Sequence, residues 1–269
     1  MNKLLKDAMK MLLLTSRTFY IPIARLSPGL KEAVASAYLC MRAIDEIEDH
    51  PDLPVAVKVE LLEGISRILE ESGGADDYAA LFSPHKETLP PVSLRIHDWI
   101  VLCPKLAAGF VTKSTAKMSR QMSEWVEKGW DIKTEEDLDY YTYCVAGAVG
   151  ELLSDLWKWY DGTESDPAKA VAFGRGLQAV NILRNRKEDM VRGVDFFPDQ
   201  WSQETMIQYT KRNLMLADAY INELKPGPAR NFCRIPFELA RGTLKAITSG
   251  VGKLNRKQVT EIVDGLGTT

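Results

Sequence analysis

Apolar residues recur at three- and four-residue steps along nearly the whole chain, the period of amphipathic helices. Residues 2–16 carry this pattern. Between Pro28 and Asp49 it is marked by Leu30, Val34, Ala37, Tyr38, Met41 and Ile44. Pro54 opens a helix with Val55, Val59, Leu62, Ile65 and Leu69 on one face, and Ser72-Gly73-Gly74 closes it. Asp76-Asp77, Pro84 and Pro90-Pro91 predict a short helix plus loop over 75–91. Helical patterns resume over 92–128, 135–160, 167–192, 203–223, 229–249 and 255–264, with Pro104 expected to kink or divide the first. No run alternates apolar and polar residues between turn signals. The expected fold class is therefore all-α, a single domain over residues 1–269 with roughly eight to ten helices.

A chain of 269 residues buries a sizeable core without staples. Its net charge of −3 excludes a generally basic nucleic-acid-binding surface. Cys40, Cys103, Cys144 and Cys233 are far apart and form no CxxC pair, so reduced core cysteines are expected. Asp7 and Lys10 interrupt the apolar run near the N-terminus, which fits an amphipathic first helix better than a signal peptide. No stretch approaches the roughly 18 apolar residues of a membrane span. A cytoplasmic protein without a transmembrane anchor is expected.

Four clusters carry candidate chemistry. In Arg42-Ala43-Ile44-Asp45-Glu46-Ile47-Glu48-Asp49, the spacing puts Asp45 and Asp49 on one helix face, with Glu48 and Arg42 nearby. Like charges at this spacing repel, and a hard cation such as Mg²⁺ relieves them; the alternative is a solvated acidic helix end. From Gln178 to Asp189, a polar ribbon of Gln178, Asn181, Asn185, Glu188 and Asp189 backs onto Leu177, Val180 and Leu183. Such a ribbon faces water, a polar cleft or a partner. Facing the first cluster across a bundle, it would cradle a metal–diphosphate group. Small residues at Ala146, Gly147, Ala148 and Gly150 leave space for a neighbouring helix or a long apolar ligand. Ser16-Arg17-Thr18-Phe19 suits an oxyanion, or else a capping turn.

In this order the four clusters resemble the squalene/phytoene synthase family. Ser16, Arg17, Thr18 and Phe19 match one motif; Tyr38, Arg42, Asp45 and Asp49 match a second. Tyr141, Val145, Ala146, Gly147, Val149 and Gly150 match a third; Gln178, Asn181, Ile182, Arg184, Asn185, Glu188 and Asp189 match a fourth, with Gly193 and Phe197-Pro198 as its tail. The resemblance implies an isoprenoid synthase helical bundle with a central apolar channel. It implies Mg²⁺ held by Asp45, Glu48, Asp49, Asn181, Asn185, Glu188 and Asp189. It implies catalytic roles for Tyr38, Arg42, Asp45, Asp49 and Tyr141. Substrate contacts are implied for Ser16, Arg17, Thr18, Phe19, Ala146, Val149, Gly150, Gln178, Asn181 and Arg184.

Two departures stand out. Asn185 replaces the family's usual Asp and removes a negative charge from the ribbon. Val194 stands where the family usually has Arg, although Arg192 is adjacent. Lys253, Arg256 and Lys257 are further candidate diphosphate contacts. An intact first cluster beside a weakened second one leads to the expected activity. This is a Mg²⁺-dependent phosphatase taking farnesyl diphosphate to farnesol and diphosphate by ionisation and water capture, as in the family's phosphatase branch. The alternatives are head-to-head prenyl transfer of the squalene or phytoene synthase type, and non-catalytic prenyl-lipid binding. The expected partner is a prenyl diphosphate, with weak association at membrane surfaces and no nucleic acid.

Overall fold

The computed structural model describes residues 3–266, apart from the side chain of Arg17. The described residues form fourteen α-helices and no strand. The chain gathers into two compact units, one of residues up to 129 with 159–161, the other of residues 130–158 and 162 onward.

The first unit holds α1 (Lys3–Thr15), α2 (Arg17–Ala24), α3 (Leu30–Glu48), α4 (Val55–Glu70), α5 (Ala75–Phe82), α6 (Pro91–Leu94), α7 (Ile96–Leu102) and α8 (Lys105–Glu127). Gly29, at φ +85°, turns the chain into α3, and its N–H donates to Glu32 at 2.6 Å. α3 lies against α1, α6, α7 and α8. Its Leu39, Ala43, Ile44 and Ile47 are fully buried, and each of the larger three stabilises the unit by roughly 1.5–3 kcal/mol. Ser93 donates to the Ala43 carbonyl at 2.7 Å, and Ser119 of α8 donates to the Leu62 carbonyl of α4 at 2.7 Å. These buried hydroxyls fix how the neighbouring helices register.

The second unit holds α9 (Glu135–Thr142), a π-helical turn (Tyr143–Gly147), most of α10 (Ala148–Asp161), α11 (Pro167–Val191), α12 (Gln203–Glu223), α13 (Pro228–Thr248) and α14 (Arg256–Gly265). Asp166 caps α11 through the N–H groups of Ala168 and Lys169, and Pro167 occupies the first turn, where no N–H is needed. α11 packs on α12, α13 and the π turn.

Most helix boundaries fall within one or two residues of the periodicity. The helix count is higher than the pattern suggested for three physical reasons. Ser16 caps a separate α2. The 92–128 pattern breaks at Arg95 and again at Cys103-Pro104. The 135–160 pattern contains the π turn. All four cysteines are buried and free, as their spacing suggested.

Candidate active site

The acidic run closes α3, so it sits at the negative end of the helix macrodipole with Asp49 as the C-cap. Arg42 forks between two carboxylates, reaching Asp45 at 2.5 Å and Glu46 at 2.5 Å. Burial pushes the Asp45 carboxyl up to about 6, with Asp49 and Glu46 adding to the rise and Arg42 opposing it. Yet the Asp45 side chain keeps 32% of its surface accessible, and Asp49 is exposed. Accessible carboxylates under mutual repulsion are hard oxygen donors suited to a divalent cation. Glu48, also in the expected metal set, is buried, and the Lys58 ammonium donates to its backbone carbonyl at 2.5 Å. Glu46, not Glu48, shares Arg42 with Asp45; its i+4 spacing from Arg42 was the available signal.

The Ser16 motif is both a cap and a contact. The Ser16 hydroxyl accepts the Phe19 N–H at 3.3 Å, starting α2, and lies near the Tyr38 phenol. The Phe19 ring lies 5.2 Å from that of Tyr38. Burial raises the Tyr38 phenol above its ordinary value, against the influence of the nearby Ser16 hydroxyl and Arg42 charge. Tyr38 is thus a neutral hydrogen-bond donor at physiological pH. The fold therefore brings Ser16, Phe19, Tyr38, Arg42, Asp45 and Asp49 into one neighbourhood of the first unit. Thr18 is exposed there, and the Arg17 side chain lies outside the described residues.

The polar ribbon runs along α11 in the second unit. Asn181 donates to Gln178 at 3.4 Å, and the Arg184 guanidinium donates to the Asn185 amide oxygen at 3.0 Å. Both carboxylates that follow are met by cations. Glu188 takes the Lys253 ammonium at 2.5 Å, which holds its carboxyl below the ordinary value. The mostly buried Asp189 takes Arg192 at 2.6 Å. Lys253 thus meets a ribbon carboxylate here. Among the described residues, no three His, Cys, Asp or Glu side chains converge as a ready-made metal cage.

Beyond the ribbon, Arg186 grips Asp195 through two nitrogens, at 3.1 and 2.7 Å, and stacks 3.6 Å over the Phe197 ring. Asp195 also accepts the Phe197 N–H at 3.1 Å. The neighbouring Phe196 ring stacks on Tyr141 at 4.7 Å. The segment after α11 is thereby tied to α11 and to the end of α9. Asp195→Ala is expected to loosen it, seen as several-fold faster amide exchange at residues 193–197 with the global melting temperature little changed.

The small residues of the π turn and α10 serve packing where they meet α11. A Cβ at Gly150 would stand 1.9 Å from the Ala170 carbonyl oxygen, and one at Gly174 would stand 2.1 Å from that of Ala146. The space beside Gly150 thus belongs to α11, whereas Ala146 and Val149 remain partly accessible. π turns interrupt helices at a cost and concentrate at functional positions; this one begins two residues after Tyr141. A cleft of about 1020 Å³ lies between α12, α13 and α14, lined by Leu214, Met215, Phe237 and Ile262 among others. None of the residues assigned above to a prenyl channel lines it.

The described residues thus carry an aspartate-rich helix end in one unit and an amide- and carboxylate-bearing helix in the other, within an all-helical fold. A family model described as squalene/phytoene synthase matches residues 14–208, and the chain belongs to that family. Relatives include the squalene synthases of Schizosaccharomyces pombe (29% identical, over 87% of this chain and 57% of that protein), Dictyostelium discoideum (28%, over 94% and 68%) and Bos taurus (29%, over 96% and 69%). The chain thus spans little more than half of the first and about two thirds of the others. Among solved structures, TcSQS with a bound ligand superposes at a TM-score of 0.81 with 21% identity, over 97% of this chain and 85% of that one. A dehydrosqualene synthase in complex with a ligand superposes at 0.69 with 16% identity, over 98% and 95%. These two show the fold. No helix among the described residues is long and apolar enough to cross a membrane.

Proposed function

We propose that residues 1–269 act as one squalene/phytoene synthase-like domain, a cytoplasmic Mg²⁺-dependent enzyme that ionises prenyl diphosphates and joins two prenyl chains head to head. The observation that carries this reading is the Tyr38–Arg42–Asp45–Asp49 neighbourhood, which lies within the stretch that the family model matches, in a chain whose relatives are named squalene synthase. Those names favour coupling over the hydrolysis expected from the sequence. Farnesyl diphosphate is the proposed substrate.

The donor set fits Mg²⁺ at Asp45 and Asp49, with water and diphosphate oxygens completing the shell. The ion when bound would neutralise the departing diphosphate. The chain's own residues do the rest. Arg42 holds Asp45 in place and keeps a positive charge beside the diphosphate site. Tyr38, a neutral donor, offers its proton to an oxygen as negative charge develops there. In the substrate the C1–O bond breaks, its electron pair leaving with diphosphate, and an allylic cation remains. In coupling, the double bond of a second prenyl chain supplies the new C–C bond, and loss of a proton closes a cyclopropane. In hydrolysis, water supplies the new C–O bond and then loses a proton.

Hydrolysis is kept as a second reading because of α11. Asn185 is neutral and bonded to Arg184, and both nearby carboxylates are ion-paired. One ionisation needs less of this ribbon than two. The test is incubation with farnesyl diphosphate and Mg²⁺, with and without NADPH. A cyclopropyl diphosphate or C30 product supports coupling, farnesol alone supports hydrolysis, and no turnover removes both. Asn185→Asp is expected to raise Mg²⁺ affinity by about tenfold, since a carboxylate binds a hard cation far more strongly than an amide. It is also expected to raise the ratio of coupled product to farnesol. An unchanged ratio would remove Asn185 as the limiting group.

A further inference from the structure

After α11 the chain turns at Gly193, at φ +83°, and returns toward the start of α9, where the Asp199 N–H donates to the Lys133 carbonyl at 2.9 Å. Between these points Phe196 lays its ring on Tyr141, with the centroids 4.7 Å apart and the planes 18° from parallel. The stack is buried: Tyr141 is 5% exposed and Phe196 9%. Arg186 holds the residues on either side of Phe196, Asp195 through two nitrogens and Phe197 through its ring face. The backbone around Tyr141 is fixed from elsewhere. The Tyr209 hydroxyl of α12 donates to Asp139 at 2.7 Å and lies 3.3 Å from the Thr142 hydroxyl. Arg175 of α11 donates to the Asp139 carbonyl at 2.9 Å. With the backbone held on both sides of Tyr141, the stack adds the orientation of the side chain about its own bonds.

We propose that Phe196 is a positioning residue, which sets the ring of Tyr141 for the reaction proposed above; this rests on that reading and on Tyr141 acting in it. A tyrosine ring turns about two side-chain bonds, and its hydroxyl lies at the far end of both. A flat aromatic partner selects one plane for the ring, whereas an aliphatic side chain fills the same space without selecting one. Misplacing a reacting group by about 1 Å can cost about a hundredfold in rate. The π turn that begins two residues later marks the same stretch, since helices accept such turns mainly at functional positions. Neither Phe196 nor Arg186 needs to touch substrate in this role. Arg186 and Asp195 deliver the ring, and Phe196 orients the tyrosine.

The test is a double-mutant cycle read by diphosphate release from farnesyl diphosphate, which counts coupling and hydrolysis alike. Phe196→Leu is expected to lower kcat by about tenfold or more, with KM within about twofold of wild type. Tyr141→Phe keeps the ring and removes the hydroxyl, and is expected to lower kcat at least as far. The double variant is expected to be no slower than Tyr141→Phe alone, because Phe196 acts through that hydroxyl. Phe196→Tyr restores a flat partner and is expected to bring kcat back to within about threefold of wild type. Thermal melts accompany each variant, and if Phe196→Leu fails to fold, Arg186→Gln takes its place in the cycle with the same expected pattern. An unchanged kcat in Phe196→Leu overturns the proposal, and so does a raised KM at unchanged kcat, which makes Phe196 a substrate contact. Losses that add in the double variant overturn it too, because packing alone then explains them. A wild type that releases no diphosphate removes the proposed reaction and this proposal together, whereas the other adverse outcomes remove this proposal alone.

Discussion

Asp45→Asn and Asp49→Asn are each expected to lower Mg²⁺-dependent turnover of farnesyl diphosphate by about a hundredfold or more. Both carboxylates belong to the crowded end of α3, where Arg42 pairs with Asp45 and Glu46, and the Asp49 charge acts on Asp45. Charge stabilisation by a bound metal amounts to several kcal/mol in such reactions, and about 1.4 kcal/mol is a factor of ten in rate. Asp49→Asn is the cleaner of the two. The residue is exposed, and its backbone caps α3 whichever side chain it carries. Asp45→Asn also removes a partner of Arg42, but Glu46 continues to hold the guanidinium. Neither change is expected to move the melting temperature by more than a few degrees. Steady-state rates across a Mg²⁺ titration, with thermal melts as the control, check the expectation. Near-normal rates in either variant at ordinary Mg²⁺ would remove the metal role given to that aspartate. A chelator is expected to silence the wild type and Mg²⁺ to restore it.

The other large effect is structural. Gly150→Ala and Gly174→Ala are each expected to destabilise the second unit by about 3 kcal/mol or more. The new methyl would meet backbone, not a flexible side chain: the Ala170 carbonyl at 1.9 Å in one case, the Ala146 carbonyl at 2.1 Å in the other. Neither helix yields without breaking its own hydrogen bonds. The melting temperature should fall by roughly 6–12 °C on the scale for chains of this size. Gly109→Ala supplies the control. Gly109 is an exposed helical glycine with no heavy atom near the added methyl, and alanine there should stabilise by about 0.5–1 kcal/mol. If Gly150→Ala melts like wild type but shows a raised KM, the glycine makes room for substrate, and the packing account of that position fails.

The same glycines show why short patterns are ambiguous. Small residues at Ala146, Gly147 and Gly150 mark close approach to something, and spacing alone does not say whether a helix or a ligand comes near. The answer depends on α11, which arrives from some twenty residues further along the chain. Tyr141 is a second case. Its motif places it before the small residues, but its stacking on Phe196 needs the segment after α11, held there by Arg186 and Asp195. No local pattern pairs these positions.

Local rules of backbone and charge carried much of the molecule. Helix class and most helix ends follow from apolar periodicity, capping residues and proline, because these act within one or two turns. The nearness of Asp45 and Asp49 follows from i, i+4 geometry alone, as does the fork of Arg42 to Asp45 and Glu46. The free, buried state of the four cysteines was legible from their spacing and the absence of pairs. Packing between distant segments decided the rest: the approach of the Phe19 ring to Tyr38, the burial of Glu48 beside Lys58, and the pairing of Glu188 with Lys253. Each depends on which side of one helix meets another element. A helix of given sequence offers several nearly equivalent polar faces, and only the burial of apolar surface across the whole unit selects among them.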